Sequence, residues 1–284
     1  MLENAVNAGA APGDVELIWR AKKRDEMMRH ILSDLAGGVR TITLNRPEVL
    51  NAINGEMHDV LEAAFNAFAA AADEHVCVIT GAGRAFCAGS DLKAAVAEGH
   101  RDYPAHGYAG LIERFDCPKP FIALVNGTAM GGGFELALAC DIILAADSAV
   151  FALPEPLVGA VALGGGLHRL ARSVPLKQAM GMILASRRVG SAEGERMGFV
   201  TQAVPDADLA AAAQRWCADI LRASPVSVRT SKELVRLGLG EVDVEAAMRA
   251  QPGWAAFKAW QSSADAREGP RAFAEKRAPR WTGR

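Results

Sequence analysis

Two carboxylates and two glycine-rich loops are the parts of this chain best suited to chemistry. Glu135 follows three consecutive glycines, Gly131–Gly133, and begins an apolar run, while Glu155 lies between two prolines in the apolar stretch FALPEPLVGA. A carboxylate in apolar surroundings is costly unless it is solvated or used. Two such groups near one site can work as a general acid and a general base. A glutamate in the first turn of a helix is also favourable on electrostatic grounds alone, so capping is the competing interpretation of Glu135.

The two glycine loops, FCAGSD (86–91) and MGGGFE (130–135), occur in similar settings. Each follows an apolar segment that reads as a strand and opens toward a helix, so each leaves unpaired backbone N–H groups at a helix N-terminus. Open α/β sheets usually bind ligands beyond the carboxyl ends of their strands. Turn formation explains many glycine loops by itself, but two loops in the same setting point to a ligand.

A nucleotide ligand is disfavoured, because the phosphate-binding pattern GxxxxGK[ST] is missing and GAGRAF lacks the third glycine of a dinucleotide fingerprint. Converging N–H groups can instead form an oxyanion hole, in which two donors hold a carbonyl oxygen as it gains negative charge. Glycine suits that role because a side chain would block the approach of the oxygen to the backbone. Glu135 would then lie within one helical turn of the donors.

The elements that would position these groups alternate between strand and helix. The spacing of apolar residues predicts four buried strands and two helices between them. The strands are Val39–Asn45, His75–Thr80, Pro120–Gly127 and Asp141–Ala146, and the helices are Glu56–Ala72 and Gly132–Cys140. After residue 166 the pattern is mostly helical. The sequence therefore predicts an α/β body with a parallel sheet, followed by a helical tail.

Composition limits the partners of the protein. With 31 Lys and Arg against 33 Asp and Glu in 284 residues, the formal net charge is −2, which gives no global attraction to nucleic acid or to an anionic membrane. The longest apolar region, residues 121–146, contains charged residues and glycines that a membrane-spanning helix would not tolerate. The start of the chain has no basic segment followed by an apolar core, so no secretory signal is expected. Five scattered cysteines without a CxxC pair favour a reduced, cytoplasmic setting.

Five segments, in this order, resemble the crotonase superfamily, particularly enoyl-CoA hydratases and carnitinyl-CoA dehydratases. They are TITLNRPEVLNAI, GAGRAFCAGSDLK, VNGTAMGGGFELALACDIILAA, FALPEPLVG and RMGFVTQAVP, and the resemblance runs from about Val39 to the C-terminus. It implies a ClpP/crotonase-like spiral of ββα units in residues 27–220, followed by a helical trimerisation region in residues 221–284. From their own composition, residues 1–26 are expected to form an N-terminal extension with a disordered tip. A homotrimer or homohexamer is expected.

The resemblance also assigns catalytic roles to four residues. The backbone N–H groups of Ser90 and Gly132 would form the oxyanion hole and hold the thioester oxygen of an acyl-CoA as an enolate. Glu135 and Glu155 would be the acid and base of hydration and dehydration, with their individual division left open. No metal and no cofactor other than the coenzyme A of the substrate is implied.

Eight further residues are assigned to substrate binding by the same resemblance. They are Ala52, Ala88, Asp91, Leu92, Lys93, Leu163, Phe273 and Lys276. The last two would come from a neighbouring subunit to meet the nucleotide end of coenzyme A. The lysines also fit the interpretation of ordinary surface residues.

The stretch ALGGGLHRL departs from the PGxGGTQRL of many hydratases. Leu163 brings a bulky side chain where the family commonly has a glycine close to the catalytic water, so we expect poor hydration of simple enoyl thioesters. His168 is interpreted as structural because it has no metal-ligand spacing. Residues 94–115 occupy the region that shapes the acyl pocket in such enzymes. Glu113 within it could reach that pocket, but the pattern favours an exposed helical face.

The sequence leaves three functions open. The first is hydration or dehydration of an acyl-CoA. The second is other enolate chemistry on a CoA thioester, such as carnitinyl-CoA dehydration or double-bond isomerisation. The third, from a different class, is a catalytically degenerate protein of crotonase fold that binds RNA or a regulatory partner. The intact pair of glutamates and the lack of a basic stripe disfavour the third.

Overall fold

The computed structural model describes residues 28–99 and 102–284. The predicted extension, residues 1–26, lies outside the described residues. The division predicted between residues 220 and 221 stays a prediction.

Ten strands form two sheets. The larger sheet has the order β1-β2-β3-β5-β7-β10, and the smaller one β4-β6-β8-β9. The strands of the larger sheet are β1 (Ile31–Ala36), β2 (Val39–Leu44), β3 (Val76–Gly81), β5 (Phe121–Val125), β7 (Ile142–Ala146) and β10 (Gln202–Val204). Those of the smaller sheet are β4 (Ala85–Cys87), β6 (Thr128–Met130), β8 (Val150–Ala152) and β9 (Val189–Gly190).

The four predicted strands correspond to β2, β3, β5 and β7, which are parallel neighbours in the larger sheet. The parallel α/β body is therefore confirmed. Strand β1 was not predicted. It pairs antiparallel with β2 across a tight turn in which Gly37 and Gly38 have φ of 56° and 82°, and it forms the edge of the sheet. Four of its six residues are exposed, which removes the regular alternation that marks a half-buried strand.

The smaller sheet positions the chemistry. Strands β4, β6 and β8 are parallel neighbours, so their carboxyl ends lie along one edge. The first glycine loop follows β4, the second follows β6, and Glu155 comes three residues after the end of β8. The sequence placed both loops directly after the long buried strands. The structure instead inserts one short strand of the second sheet before each loop.

Eleven α-helices are present in the described residues. They are α1 (Gly55–Ala70), α2 (Leu92–Glu98), α3 (Gly132–Ala139), α4 (Gly166–Ser173), α5 (Leu176–Ala185), α6 (Ser191–Met197), α7 (Leu209–Arg222), α8 (Pro225–Gly238), α9 (Val244–Ala250), α10 (Ala255–Ser262) and α11 (Ala264–Ala274). The predicted helical tail is confirmed. Each of the two long predicted helices appears within two residues of its expected ends, as α1 and α3.

Two apolar cores hold the sheets and helices together. Helix α1 packs Phe65 and Phe68 edge-on against Phe121 of β5, and all three rings are buried. Helix α3 packs Phe134 against Phe151 of β8 in the same core. Because the first residues of α3 carry the second glycine loop, burial of Phe134 fixes that loop relative to β8. A second core lies between the larger sheet and α7.

In the part of the chain that the structure describes, no helix combines the length and apolar character needed to cross a bilayer. Within the same residues, no three His, Cys, Asp or Glu side chains are grouped in a way that could hold a metal ion.

Candidate active site

A cleft opens along the edge of the smaller sheet where β4, β6 and β8 end. It encloses about 1210 Å³ of empty space, including its open mouth. Ser90, Gly132, Glu135 and Glu155 all line it. The structure therefore brings the four predicted catalytic residues to one cleft, and their catalytic roles stay predictions at this stage.

The two glycine loops touch each other at the base of the cleft. Gly89 has φ of 92°, and a Cβ at that position would lie 2.7 Å from the carbonyl oxygen of Met130 and 3.2 Å from the amide nitrogen of Gly132. Both the left-handed backbone and the close approach require glycine. The chain thus places the backbone of one loop directly against the first residue of helix α3.

The backbone N–H groups of Ser90 and Gly132 are left over after the local hydrogen bonds are made. Ile53 pairs with the first loop by donating to the oxygen of Gly89 (2.8 Å) and accepting from the N–H of Asp91 (2.9 Å). In such a parallel bridge the N–H of the intervening residue, Ser90, points to the opposite side. Gly132 begins helix α3, where an N–H has no partner within the helix. Within residues 28–99 and 102–284 neither N–H reaches an acceptor.

Glu135 is 4% exposed, which is unusual for a carboxylate. Its Oε1 accepts a hydrogen bond of 2.9 Å from the N–H of Gly166, the first residue of helix α4. Burial, with a further contribution from the charge of Glu155, raises the pKa of Glu135 to about 7, although the N–H groups of Gly166 and Gly164 act in the opposite direction. Near neutral pH this carboxyl group can therefore both release and accept a proton.

Glycines make room for the Glu135 carboxylate. A Cβ at Gly164 would lie 2.6 Å from Oε2, and one at Gly166 would lie 2.9 Å from Oε1. The side chain of Arg169 lies nearby, donating to the carbonyl oxygens of Ile112 (2.6 Å) and Gly164 (3.4 Å). The second glycine triplet, Gly164–Gly166, thus leaves space for the carboxylate of Glu135, which follows the first triplet.

Glu155 approaches the same space from the other wall. It begins a short 3₁₀ turn, Glu155–Val158, and its Oε1 lies 2.9 Å from where a Cβ of Gly131 would be. Its Oε2 is buried and has no hydrogen-bond partner in the described residues. Burial raises the pKa of Glu155 above its ordinary value. A buried carboxylate oxygen without a partner is costly, so it marks a place where a polar group of a ligand or a water would bind.

The predicted substrate-binding residues divide into two groups. Ala88, Leu92 and Leu163 line the cleft, and Leu163 lies at its mouth with 83% of its side chain exposed. Asp91 lines an adjoining cavity together with Ser90, where its carboxylate caps helix α2 and pairs with Arg46 at 3.1 Å.

The other four predicted residues are not among those that line the cleft. Ala52 is buried behind the first loop, and Lys93 is exposed on helix α2. Phe273 on helix α11 is 87% exposed, and Lys276 follows that helix with φ of 53°. Their assignment to substrate binding stays a prediction.

Two tyrosines that sequence reasoning did not single out line the cleft. Tyr108 is 3% exposed and Tyr103 is 57% exposed, and their rings pack edge to face with centroids 5.6 Å apart. Both belong to the variable segment 94–115, whose sequence gives no periodic signal that would fix a side chain's direction. The other signal that was open to sequence reasoning is the second glycine triplet.

Glu113 lies in a turn and not on the expected helix. It is exposed, as predicted, and it lines the cleft, which is the alternative position that the sequence left open. Positive φ at Gly107, Ala109 and Gly110 interrupts any helix just before it. His168 is exposed on helix α4 and contributes no side chain to the cleft.

Comparisons with known proteins agree with this fold and with the order of the motifs. A sequence model of the family described as enoyl-CoA hydratase/isomerase matches residues 34–284. The carnitinyl-CoA dehydratases of Escherichia coli K12 and Proteus mirabilis are 43% and 41% identical to the chain, over 87% of its length and 96% of theirs. Crystal structures of enoyl-CoA hydratases from Mycobacterium marinum and Mycobacterium tuberculosis each superpose with a TM-score of 0.84, at 35% and 34% identity. They cover 90% of this chain and all of theirs.

These matches span nearly all of the described residues and include every motif on which the predicted resemblance rested. The family match begins at residue 34, so it leaves the predicted extension, residues 1–26, outside. The chain belongs to the enoyl-CoA hydratase/isomerase family, within the crotonase superfamily.

Proposed function

We propose that this protein hydrates an enoyl-CoA to a 3-hydroxyacyl-CoA and catalyses the reverse dehydration. The observation that supports this most directly is the convergence of two carboxyl groups, Glu135 and Glu155, on one cleft whose floor carries two free N–H groups. Burial raises the pKa of both carboxyl groups, to about 7 for Glu135. The names of the relatives, enoyl-CoA hydratase and carnitinyl-CoA dehydratase, describe reactions of this kind.

In this proposal the N–H groups of Ser90 and Gly132 hold the thioester oxygen. As water attacks Cβ, one glutamate accepts a proton from that water, and the electrons of the double bond move toward the thioester carbonyl to give an enolate. The other glutamate donates a proton to Cα, which restores the carbonyl. The two N–H donors stabilise the negative charge that develops on the oxygen. The glutamates act as a pair that shares one proton. Besides these protein groups, the reaction as proposed uses only the thioester and water.

Coenzyme A would extend from the cleft past Ala88 and Leu92, with Ala52, Asp91 and Lys93 around it. Phe273 and Lys276 of a neighbouring subunit would complete the nucleotide end, which requires a homotrimer or homohexamer. The exposed position of Phe273 fits a contact made between subunits.

Replacing the pair tests the proposal. Glu135→Gln and Glu155→Gln should each lower kcat for hydration of a short enoyl-CoA by several orders of magnitude, measured as loss of the absorbance of the conjugated thioester. Glu241→Gln, on the surface, is the matched control and should retain full activity. Full activity in either of the first two variants would remove that glutamate from the mechanism.

A second candidate, carnitinyl-CoA dehydration, is favoured by the lining of the cleft. Its described lining residues include Glu113, Tyr103 and Tyr108 and contain no Lys, Arg or His. A quaternary ammonium, which a carnitinyl group carries, binds to aromatic faces and carboxylates. Comparing carnitinyl-CoA with an uncharged 3-hydroxyacyl-CoA of equal chain length would decide between the two. A Glu113→Gln variant should weaken only the cationic substrate.

A further inference from the structure

Tyr108 lies at the junction of the two glycine loops. Its ring is buried, and its hydroxyl oxygen lies 2.6 Å from where a Cβ of Gly132 would be and 3.4 Å from Oγ of Ser90. These are the two residues whose N–H groups are proposed to hold the thioester oxygen. The hydroxyl group is therefore adjacent to both sides of that site.

The hydroxyl group has a proton to give. Ser90 Oγ, at 3.4 Å, is the one hydrogen-bond partner of the Tyr108 hydroxyl in the part of the chain that the structure describes, and this contact is long for two hydroxyl groups. Burial raises the pKa of Tyr108 well above its ordinary value, so the group stays a neutral O–H donor throughout the working pH range. A buried hydroxyl group whose one hydrogen bond is long gains free energy when a bound oxygen accepts its proton at a shorter distance.

The backbone around Tyr108 is held in an uncommon conformation. Gly107, Ala109 and Gly110 have φ of 73°, 54° and 65°, and Ala109 is a residue that rarely adopts such an angle. Strained backbone of this kind persists only where surrounding contacts fix it, and it is frequent at functional sites.

Helix α1 supplies some of those contacts. Nδ1 of His58 accepts a hydrogen bond of 2.9 Å from the N–H of Ala109. The backbone of Glu62 lies close to Gly110: a Cβ on Gly110 would be 2.5 Å from Cα of Glu62. His58 also packs edge to face on the Tyr108 ring, with centroids 4.7 Å apart. His58 and Glu62 are one helical turn apart and present one face to the tyrosine segment.

We propose that the Tyr108 hydroxyl, which lies next to Gly132 and Ser90 and is positioned by His58, is a third hydrogen-bond donor to the thioester oxygen. This inference rests on the proposed function. Tyr108 transfers no proton in the reaction, and it strengthens polarisation of the carbonyl as the enolate forms.

The test uses Tyr108→Phe, which removes only the oxygen. Losing one donor of an oxyanion hole typically lowers kcat by about 100-fold, and we expect a fall of about 10- to 100-fold in kcat with KM changed little. A dienoyl-CoA bound to a Glu135→Gln enzyme, which does not turn over, should show a red-shifted absorbance because its carbonyl is polarised. Tyr108→Phe should reduce that shift, an effect that a merely structural role would not produce.

A second measurement keeps the proposal testable if Tyr108→Phe fails to fold. The chain contains two tyrosines, so 3-fluorotyrosine labelling of a Tyr103→Phe enzyme modifies Tyr108 alone. Fluorination makes the phenol a stronger donor. In the Glu135→Gln background, labelled Tyr103→Phe should therefore show a larger red shift than unlabelled Tyr103→Phe. An unchanged kcat and red shift in Tyr108→Phe, or an unchanged shift on fluorination, would overturn the third donor. If the wild-type protein itself fails to hydrate enoyl-CoA, the proposed function fails, and that outcome is separate from a loss confined to Tyr108.

Discussion

The two walls of the cleft hold their glutamates in opposite ways. Glu135 is enclosed by backbone: it begins in the first turn of α3 and its carboxylate is held by the N–H of Gly166 and surrounded by a glycine triplet. Glu155 lies in a short 3₁₀ turn beside exposed apolar side chains such as Leu157 and Leu163, and one of its oxygens has no partner in the described residues. The backbone around Gly164–Gly166 forms a closed pocket for the carboxylate of Glu135, which we call the receptacle. The wall that carries Glu155, Leu157 and Leu163 is an open rim of the cleft.

The difference shows how one protein can give two identical side chains different behaviour. Burial is the largest cause of the raised pKa on both walls. The backbone donors to Glu135 come from a separate segment, Gly164 and Gly166, whereas the backbone donor that acts on Glu155 is its own N–H. The Glu135 wall is therefore held by backbone contacts, and the Glu155 wall is the one that carries exposed apolar side chains. Four substitutions test this difference between the walls.

The largest expected effect is on stability. An unfolded glutamate ionises near 4.5, whereas folding raises the pKa of Glu135 to about 7. Between these values the folded protein retains a proton that the unfolded chain has lost, so the stabilisation present below about pH 4.5 is lost as the pH rises through about 7. The difference in pKa corresponds to about 3 kcal/mol.

Glu135→Gln removes this dependence, and its neutral amide oxygen can still accept from Gly166. Its free energy of unfolding relative to wild type should therefore increase by up to about 3 kcal/mol between pH 4.5 and pH 8, measured by denaturant titration. Glu241→Gln is the control. Parallel pH curves for Glu135→Gln and wild type would show that the carboxyl group is not desolvated in the folded protein.

A methyl group at Gly164 would occupy the space that now holds the Glu135 carboxylate. In Gly164→Ala the new Cβ would lie 2.6 Å from Glu135 Oε2, so the carboxylate must move. A displacement of about 1 Å at a catalytic group costs about 100-fold in rate, or about 2.7 kcal/mol. Gly181→Ala on helix α5, where nothing lies within 4 Å of the new Cβ, is the matched control. Equal kcat in the two variants would mean that Gly164 does not position Glu135.

Only part of the Glu135 wall could be predicted from the sequence. The glycines before Glu135 and the proline before Glu155 were visible as patterns, and the parallel strands placed them correctly at carboxyl ends. The second glycine triplet was also visible as a pattern, but the roles of Gly164 and Gly166 were not, because they depend on a contact with Glu135, about thirty positions earlier. The strands β4, β6 and β8 have three residues each, too few for a periodic signal.

The tyrosine segment shows the same limit more strongly. The positive φ of Ala109 is imposed by His58, fifty-one residues away, and alanine carries no local preference that would reveal it. Because that positive φ could not be foreseen, Glu113 was expected on a helix and Tyr108 received no role. Local chemistry was readable from residue types, whereas the conformation of a segment fixed by tertiary contacts was not.

The coupling between the walls is a smaller effect. The charge of Glu155 contributes to the raised pKa of Glu135, but burial contributes more. Glu155→Gln should therefore lower the pKa of Glu135 while leaving it above 4.5, as followed by the ¹³C shift of its carboxyl carbon in a pH titration. A pKa that does not move would mean that the two carboxylates are electrostatically independent and do not share a proton.

The smallest effect is expected at the rim. The sequence suggested that Leu163 crowds the catalytic water and impairs hydration of simple enoyl thioesters. In the structure 83% of this side chain is exposed at the mouth of the cleft, and Gly164 is the residue against Glu135. Leu163→Ala should then change kcat/KM for a short straight-chain enoyl-CoA by less than about threefold, or about 0.7 kcal/mol. Leu157→Ala, 76% exposed on the same rim, is the comparison. A tenfold gain in Leu163→Ala alone would show that the rim residue folds inward over the substrate, and the contrast between a rigid inner wall and a permissive outer one would no longer hold.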